Sequence, residues 1–336
     1  MLQEILTSRG VPALLSRAEM LDILQREEYG YLPEKPDRME WKVRENCIPS
    51  FCAGKVTAQR VELTVYIGET PFTFPFIAVV PKGKGPYPFF IHINFRPDVP
   101  DRYMPTEEIT DNGFGVLSFC YNDVTSDNGD FTNGLAGVLY PDGKRNPTDP
   151  GKIALWAWAA QRVLDYAEQE PRLDMSRAMV CGHSRLGKTA LLCGATDERF
   201  YLAHSNNSGC SGAAVTREKV GERVEQITRN FPYWFCENYK KYIGKEFDMP
   251  FDQHFLIASI APAVSTWPPP WRIRGRIPPL SCFPAWPPPP PMKRTALRGW
   301  SARTGYPKRA TSTMGEASAT TSAKDCTTSG GRTGTG

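Results

Sequence analysis

The 336-residue chain contains only four histidines and lacks any long apolar run, and both features restrict what it can be. No stretch approaches 18 consecutive apolar residues, so the sequence predicts no transmembrane helix. Residues 1–33 have no basic start, no apolar run and no small-residue cleavage site, so we expect no secretory signal in the chain as written. This predicts a cytoplasmic location, or a periplasmic or secreted one if the N-terminus is truncated.

The nine cysteines are scattered, and no C-x-x-C pair occurs among them. An odd count without paired spacing argues against a full disulfide framework. Several cysteines lie within apolar runs, where buried free thiols are expected.

Composition changes abruptly near Pro262. Residues 1–262 carry 29 basic and 34 acidic side chains, whereas residues 263–336 carry 11 basic, 2 acidic and 12 of the 31 prolines. The first part is therefore mildly acidic, and the net charge of +4 gives no argument for nucleic-acid binding. We predict a folded domain at residues 1–262 and an irregular Pro-, Arg-, Ser- and Thr-rich tail at residues 263–336.

Two kinds of strand pattern occur in the first half of the chain. Residues 56–68 and 72–81 alternate apolar and polar side chains, as half-solvated antiparallel strands do. Residues 87–95 and 115–122 are nearly continuous apolar runs, which is typical of buried parallel strands. Further strands are predicted at 178–182 and 200–209, helices at 13–29, 105–113, 152–170, 186–195 and 217–231, and a long polar loop at 123–150. The alternation of strand and helix predicts an α/β fold with a doubly wound, mostly parallel sheet.

The segment CGHSRLGKT, at residues 181–189, lies between a predicted buried strand and a predicted helix. Gly182, Gly187, Lys188 and Thr189 fit the G-x-x-x-x-G-K-[ST] loop that cradles nucleotide phosphates. The same residues fit a nucleophile elbow with Ser184 at its tip, or a purely structural glycine turn. A phosphate loop usually follows the first strand of its sheet, whereas this segment follows about five strands, as an α/β-hydrolase elbow does. Its position therefore favours the elbow.

The segment G-H-S-R-L-G-K resembles the G-C-S-R-x-G-K elbow of the glucuronoyl methylesterases, a carbohydrate esterase family with the α/β-hydrolase fold. It departs from the general G-x-S-x-G pattern because the second glycine comes one position later. The similarity continues at residues 197–200, 206–214, 231–236 and 252–262, and REEYGYLP near the start resembles the bacterial branch. It covers most of residues 20–262 and implies an α/β-hydrolase whose last strands are lacking here.

The resemblance implies roles for four residues. Ser184 is expected to be the nucleophile, and Arg185 an oxyanion-hole residue through its backbone N–H and its guanidinium. Lys188 is expected to contact the sugar, with a solvated or helix-packed lysine as the alternative. Trp234 is expected to stack on the sugar face, with a simple core position as the alternative. No metal or organic cofactor is implied.

The general base is missing from its expected place. In this fold the catalytic histidine and acid follow the elbow on later strands, yet no histidine follows His254. We expect His183 to be structural and His254 to have a hydrogen-bonded support role. Asn207 stands where the fungal members have the acid of an E-S-G stretch, and an amide cannot serve as that carboxylate.

The tail has two interpretations. It is a disordered Pro-rich linker with a Ser/Thr/Gly-rich end, or it results from a reading-frame slip near Pro262. In the alternative frame, residues 264–278 can encode V-Y-V-A-S-A-L-A-D-P-W-A-D-P, and residues 305–336 can encode an R-E-G-L-H stretch. Both resemble the ending of the family and would supply the acid and the histidine. On this hypothesis the chain as written is inactive or nearly so, and the sheet edge next to Asn206 is uncovered.

The sequence thus predicts a serine carboxylic-ester hydrolase that acts on carbohydrate esters. The resemblance points to 4-O-methyl-glucuronoyl esters that link xylan to lignin, cleaved through an acyl-enzyme on Ser184. The expected partner is this substrate, with no nucleic acid and no membrane. The alternatives are an acetyl-xylan-type sugar esterase, a P-loop-like nucleotide-binding protein that uses residues 182–189, and a non-catalytic carbohydrate-binding protein.

Overall fold

The computed structural model describes residues 7–260, apart from residues 9, 45–48, 99–100 and 102–103. The tail at residues 263–336 lies outside the described residues, so the domain boundary, the disorder and the frame slip stay predictions. Within the described ranges, no helix is long and apolar enough to cross a membrane.

A mixed seven-stranded sheet organises the described chain. The strands are β1 Arg38–Arg44, β2 Val56–Ile67, β3 Thr70–Pro81, β4 Tyr87–Asn94, β5 Gly115–Cys120, β6 Leu173–His183 and β7 Leu202–Asn206. Their spatial order is β1-β2-β3-β5-β4-β6-β7. The pairs from β1 to β5 are antiparallel, and β5, β4, β6 and β7 run parallel to one another. The predicted α/β fold, with an antiparallel start and a parallel continuation, is confirmed.

The helices flank this sheet, and one of them is central to the core. They are α1 Arg17–Leu24, α2 Thr106–Asp111, α3 Tyr121–Val124, α4 Gly134–Leu139, α5 Lys152–Ala167, α6 Arg185–Thr196, α7 Val224–Asn230 and α8 His254–Ile260. A π-helical turn, Gln25–Tyr29, continues α1, and 3-10 turns occupy Phe51–Gly54, Glu237–Tyr242 and Glu246–Asp248. Every residue of α5 is buried, including Trp156 and Trp158, because this helix packs against the sheet, against α6 and against the short helices α3 and α4.

The period-2 pattern of the hairpin explains how its strands meet the core. In the β2–β3 register, Val61 lies opposite Phe76 and Leu63 lies opposite Phe74, and all four side chains are buried. Phe76 packs edge-on against Tyr166 of α5. The alternation seen in the sequence therefore places one face of this hairpin under α5.

Several elements differ from the sequence-based expectation. Helix α4, Gly134–Leu139, lies within the polar loop predicted at 123–150. Strand β1 was not predicted, although Met39, Trp41 and Val43 alternate with charged residues in its sequence, and six of its seven residues are exposed. With β1 counted, the elbow follows the sixth strand and not the fifth. The helix predicted at 217–231 is wrong in its first half, since α7 begins only at Val224. Arg217 instead turns inward, where its guanidinium donates to the backbone oxygen of Phe251 and to Asp252.

Candidate active site

Ser184 occupies a sharp turn between β6, which ends at His183, and α6, which begins at Arg185. Its backbone has φ 57° and ψ −119°, a conformation that an L-residue adopts only under strain. The Ser184 N–H donates to the backbone oxygen of Asn206 at 2.8 Å, which ties the turn to the end of β7. This is the strand–turn–helix geometry of a nucleophile elbow.

Two glycines allow the turn to be this tight. A Cβ atom on Gly182 would lie 2.5 Å from the carbonyl carbon of Leu186 and closer still to its oxygen. A Cβ atom on Gly187 would lie 3.0 Å from Ser205 Oγ and 3.1 Å from the backbone oxygen of Asn206. The second glycine therefore lies where the first turn of α6 crosses the end of β7, which explains its place one position later than in G-x-S-x-G.

The Ser184 side chain is half-exposed, and its hydroxyl has no hydrogen-bond partner in the described part of the chain. The adjacent His183 is exposed, with its ring edge-on to Phe95 at a centroid distance of 6.3 Å. His204 is also exposed, on β7. Neither imidazole hydrogen bonds to the serine.

The other two histidines lie in different parts of the fold. His92, in β4, shares a 3.4 Å hydrogen bond with the hydroxyl of Ser118, and burial lowers the pKa of His92. His254 lies 2.9 Å through Nε2 from the backbone oxygen of Pro12, as its predicted support role requires. All four histidines of the 336-residue sequence are therefore located, and none is hydrogen bonded to Ser184.

Arg185 follows the serine directly and is held by an acidic partner. Its Nη1 donates to Asp127 Oδ2, and its side chain is 25% exposed. The guanidinium carbon lies 4.8 Å from the ring centroid of Trp234 and 5.5 Å from that of Phe231. Its Nε and Nη2 donate to no other described residue, and Nε is buried without a partner. Donor capacity therefore remains on the guanidinium beside the elbow.

Trp234 lies beside Arg185, but beneath the surface. Its side chain is only 3% exposed, stacked on Phe231 with a centroid distance of 3.7 Å. Its Nε1 donates to Asp127 Oδ1 at 2.7 Å. These contacts correspond to the alternative of a core residue that supports Arg185 and Asp127, and sugar stacking by Trp234 stays a prediction.

Lys188 lies on the inner side of α6. It is 4% exposed, and its Nζ donates to the backbone oxygen of Ser208. Desolvation lowers the pKa of Lys188 to about 8. Thr189 is buried as well and donates its hydroxyl to the backbone oxygen of Arg185 at 3.0 Å. The two side chains that a phosphate loop would need are thus engaged in the interior, and a sugar contact of Lys188 stays a prediction.

A buried carboxyl group lies near Lys188. Both oxygens of Glu28 accept from Gln253 Nε2 at 3.0 Å, and the side chain is fully buried. Burial raises the pKa of Glu28 to about 8, and the field of Lys188 acts in the opposite direction. The interior behind the elbow therefore contains both an acid and a base with strongly shifted pKa values.

Asp127 is the site residue that sequence reasoning missed. It lies in the predicted polar loop at 123–150, which is rich in Asp, Asn and Gly and gave no reason to choose one carboxylate over another. Its partners Arg185 and Trp234 are 58 and 107 positions away in sequence. Only the fold brings these three side chains together.

Comparison with known proteins identifies consistent relatives. A family model described as fungal glucuronyl esterase matches residues 63–266. The carbohydrate esterase MZ0003, from an unknown prokaryotic organism, is 42% identical over 161 residues, which are 46% of this chain and 37% of that protein. The 4-O-methyl-glucuronoyl methylesterase of Podospora anserina is 28% identical over 256 residues, 73% of this chain and 48% of that protein.

The solved structures agree with this result. The glucuronoyl esterase from Solibacter usitatus superimposes with a TM-score of 0.63 at 30% identity, over 73% of this chain and 71% of that one. The chain spans about half the length, or less, of these two curated relatives.

Proposed function

Because this chain belongs to the glucuronyl esterase family, we propose that its site acts on carbohydrate esters of the 4-O-methyl-glucuronoyl type, with Ser184 as the nucleophile. The relatives named as 4-O-methyl-glucuronoyl methylesterases support the substrate class. The observation that carries the assignment is the strained turn at Ser184, with φ 57°, beside the guanidinium of Arg185.

In the proposed reaction the Ser184 Oγ attacks the ester carbonyl carbon, and the carbonyl oxygen becomes an oxyanion. The backbone N–H of Arg185, at the start of α6, and the N–H groups that its guanidinium does not share with Asp127 donate to this oxygen. The C–O bond then breaks, and the alcohol leaves with a proton. Water hydrolyses the acyl-serine and releases the uronic acid.

Proton transfer is the step for which no described residue is hydrogen bonded to the Ser184 hydroxyl. The serine proton must go to a base, which an acid orients, and none of the four histidines hydrogen bonds to Ser184. Loss of a triad base lowers kcat by a factor on the order of 10⁶. We therefore propose that the 336-residue chain turns over its substrate very slowly, and that the alternative-frame ending would supply the missing acid and histidine.

The test compares two proteins on a methyl glucuronate ester and on a sugar acetate. One is the 336-residue chain, and the other carries the alternative-frame translation in place of residues 263–336. We expect hydrolysis of the glucuronate ester by the second protein only, and we expect Ser184→Ala to abolish it. Activity that survives Ser184→Ala would contradict the nucleophile, and fast Ser184-dependent turnover by the first protein would contradict the missing base. Preference for the acetate would contradict the substrate class.

A further inference from the structure

We propose that Asp127 is a positioning and specificity residue, which holds the Arg185 guanidinium beside Ser184 and neutralises its charge so that the anionic product leaves the site. This inference rests on the proposed function, since the product of glucuronoyl ester hydrolysis is a uronate. It goes further because it assigns a role to a carboxylate outside the elbow.

The hydrogen bonds of Asp127 fix the position of its carboxylate. Oδ2 accepts from Arg185 Nη1 and, at 3.1 Å, from the hydroxyl of Tyr121. Oδ1 accepts from Trp234 Nε1 at 2.7 Å, and the backbone oxygen of Asp127 accepts from Tyr233 at 2.9 Å. The side chain is 10% exposed, so the ion pair is partly shielded from water and from salt. A carboxylate with three donors in place cannot rotate away without losing them.

Hydrogen bonds from neighbouring residues also fix the loop that carries Asp127. Lys152, at the start of α5, donates from Nζ to Thr125 Oγ1 and to the backbone oxygen of Asp130, each at 2.7 Å. Asn133 accepts from the backbone N–H of Ser126 at 2.9 Å. The carboxylate is therefore presented to Arg185 by a loop fixed on both sides of it.

The charge of this pair distinguishes the substrate from the product. The ester is neutral at its carbonyl, whereas the uronate carries a full negative charge that an unpaired arginine would bind through two hydrogen bonds. The ion pair of Arg185 with Asp127 carries no net charge as a whole, so a product carboxylate gains little attraction there. The N–H groups of Arg185 that Asp127 does not bind remain available to donate to an oxyanion that forms on the neutral ester. Asp127 thus reduces product retention without removing the donors.

The experiment measures binding and needs no turnover. Glucuronate and its neutral methyl ester are titrated into the 336-residue chain and into three variants by isothermal calorimetry, at low and at high salt. All four proteins carry Ser184→Ala, so that the ester is not hydrolysed. The variants are Asp127→Asn, Asp127→Asn with Arg185→Gln, and Asp123→Asn, which removes a carboxylate from the neighbouring helix α3. Thermal unfolding verifies that each protein is folded.

We expect Asp127→Asn to bind glucuronate about tenfold more tightly at low salt, with a smaller gain at high salt. The methyl ester should show no such gain. The added Arg185→Gln change should cancel the gain, and Asp123→Asn should not produce one.

Unchanged or weaker glucuronate binding in Asp127→Asn would overturn the proposal, as would a gain that persists without Arg185. Absence of binding of both ligands in every variant would overturn this proposal together with the proposed function. Ser184-dependent hydrolysis by the protein with the alternative-frame ending, without the change in glucuronate affinity, would overturn the role of Asp127 alone.

Discussion

Replacement of Gly182 by alanine is the perturbation that tests the elbow most directly. The new Cβ atom would lie 2.5 Å from the carbonyl carbon of Leu186, whereas Cβ atoms in proteins do not approach other heavy atoms within 3.0 Å. The obstacle is the backbone of α6, so no side-chain rotation can relieve it. Since Leu186 is fully buried, the first turn of α6 can move away from β6 only by disturbing the core.

The magnitude follows from this overlap. Forcing a methyl group into a packed site costs about 1–3 kcal/mol or more of unfolding free energy. Part of the cost is offset because alanine restricts the unfolded chain more than glycine, which contributes about 0.4–1 kcal/mol. The Gly182 backbone is not in the left-handed region, so backbone strain adds nothing. We expect a net loss of about 2 kcal/mol, or a Tm lower by about 4–8 °C for a domain of this size.

The assay is thermal unfolding followed by circular dichroism. The matched control is Gly129→Ala, because a Cβ atom there meets no heavy atom within 4 Å and the residue has no positive φ. Gly129→Ala should leave Tm within about 1 °C of the parent protein. If Gly182→Ala unfolded at the same temperature as this control, the proposed close contact between β6 and α6 would be refuted.

Three further predictions concern the same interior. The unfolding free energy of Ser184→Gly should exceed that of Ser184→Ala by about 1 kcal/mol, because φ 57° and ψ −119° strain alanine but not glycine. Equal thermal stability of the two variants would show that this turn is not strained. Burial raises the pKa of Glu28 from 4.5 to about 8, so the folded state holds this proton more tightly and stability falls as pH rises between those values. Urea unfolding measures this loss of unfolding free energy from pH 5 to pH 8. The loss should be smaller in Glu28→Gln than in the parent protein and unchanged in the exposed control Glu108→Gln. Identical profiles for all three proteins would exclude Glu28 as the cause. Asp252→Asn should cost about 3–5 kcal/mol in urea unfolding, because it leaves the buried guanidinium of Arg217 without its counter-charge; a loss below about 1 kcal/mol would show that the backbone acceptors suffice.

The elbow could be predicted from sequence because its physics is local. Gly182, Ser184 and Gly187 lie within six positions, and each is needed by a contact inside the strand–turn–helix unit or with the adjacent strand. The hairpin β2–β3 was predicted for the same reason, since its alternation has one face to bury. A feature whose contacts are made by residues close in sequence can be predicted from that segment alone.

The remaining features depend on distant partners. Strand β1 alternates Met39, Trp41 and Val43 with charged residues, but it is nearly all exposed, and its pairing with β2 fixes its place in the sheet. From its local sequence, Arg217 is expected to be a solvated residue of a helix. Its burial depends on Asp252 and the backbone oxygen of Phe251, which are distant in sequence. The choice of Asp127 among several loop carboxylates likewise depends on Trp234, which is 107 positions away.

The distribution of these groups along the chain separates binding from proton transfer. The contacts that join Asp127, Arg185 and Trp234 are all made within the described residues, and Ser184 lies in the same region, before β7. The base and acid of this fold come from strands later in the sequence than β7. On the frame-slip hypothesis, a chain with a different ending after Pro262 retains the guanidinium held by Asp127 and the half-exposed Ser184 but lacks the base that removes the serine proton. This hypothesis predicts that affinity for a uronate or its ester depends on residues 121–234 and that turnover depends on the amino acids encoded after position 262, so the two can be measured and altered independently.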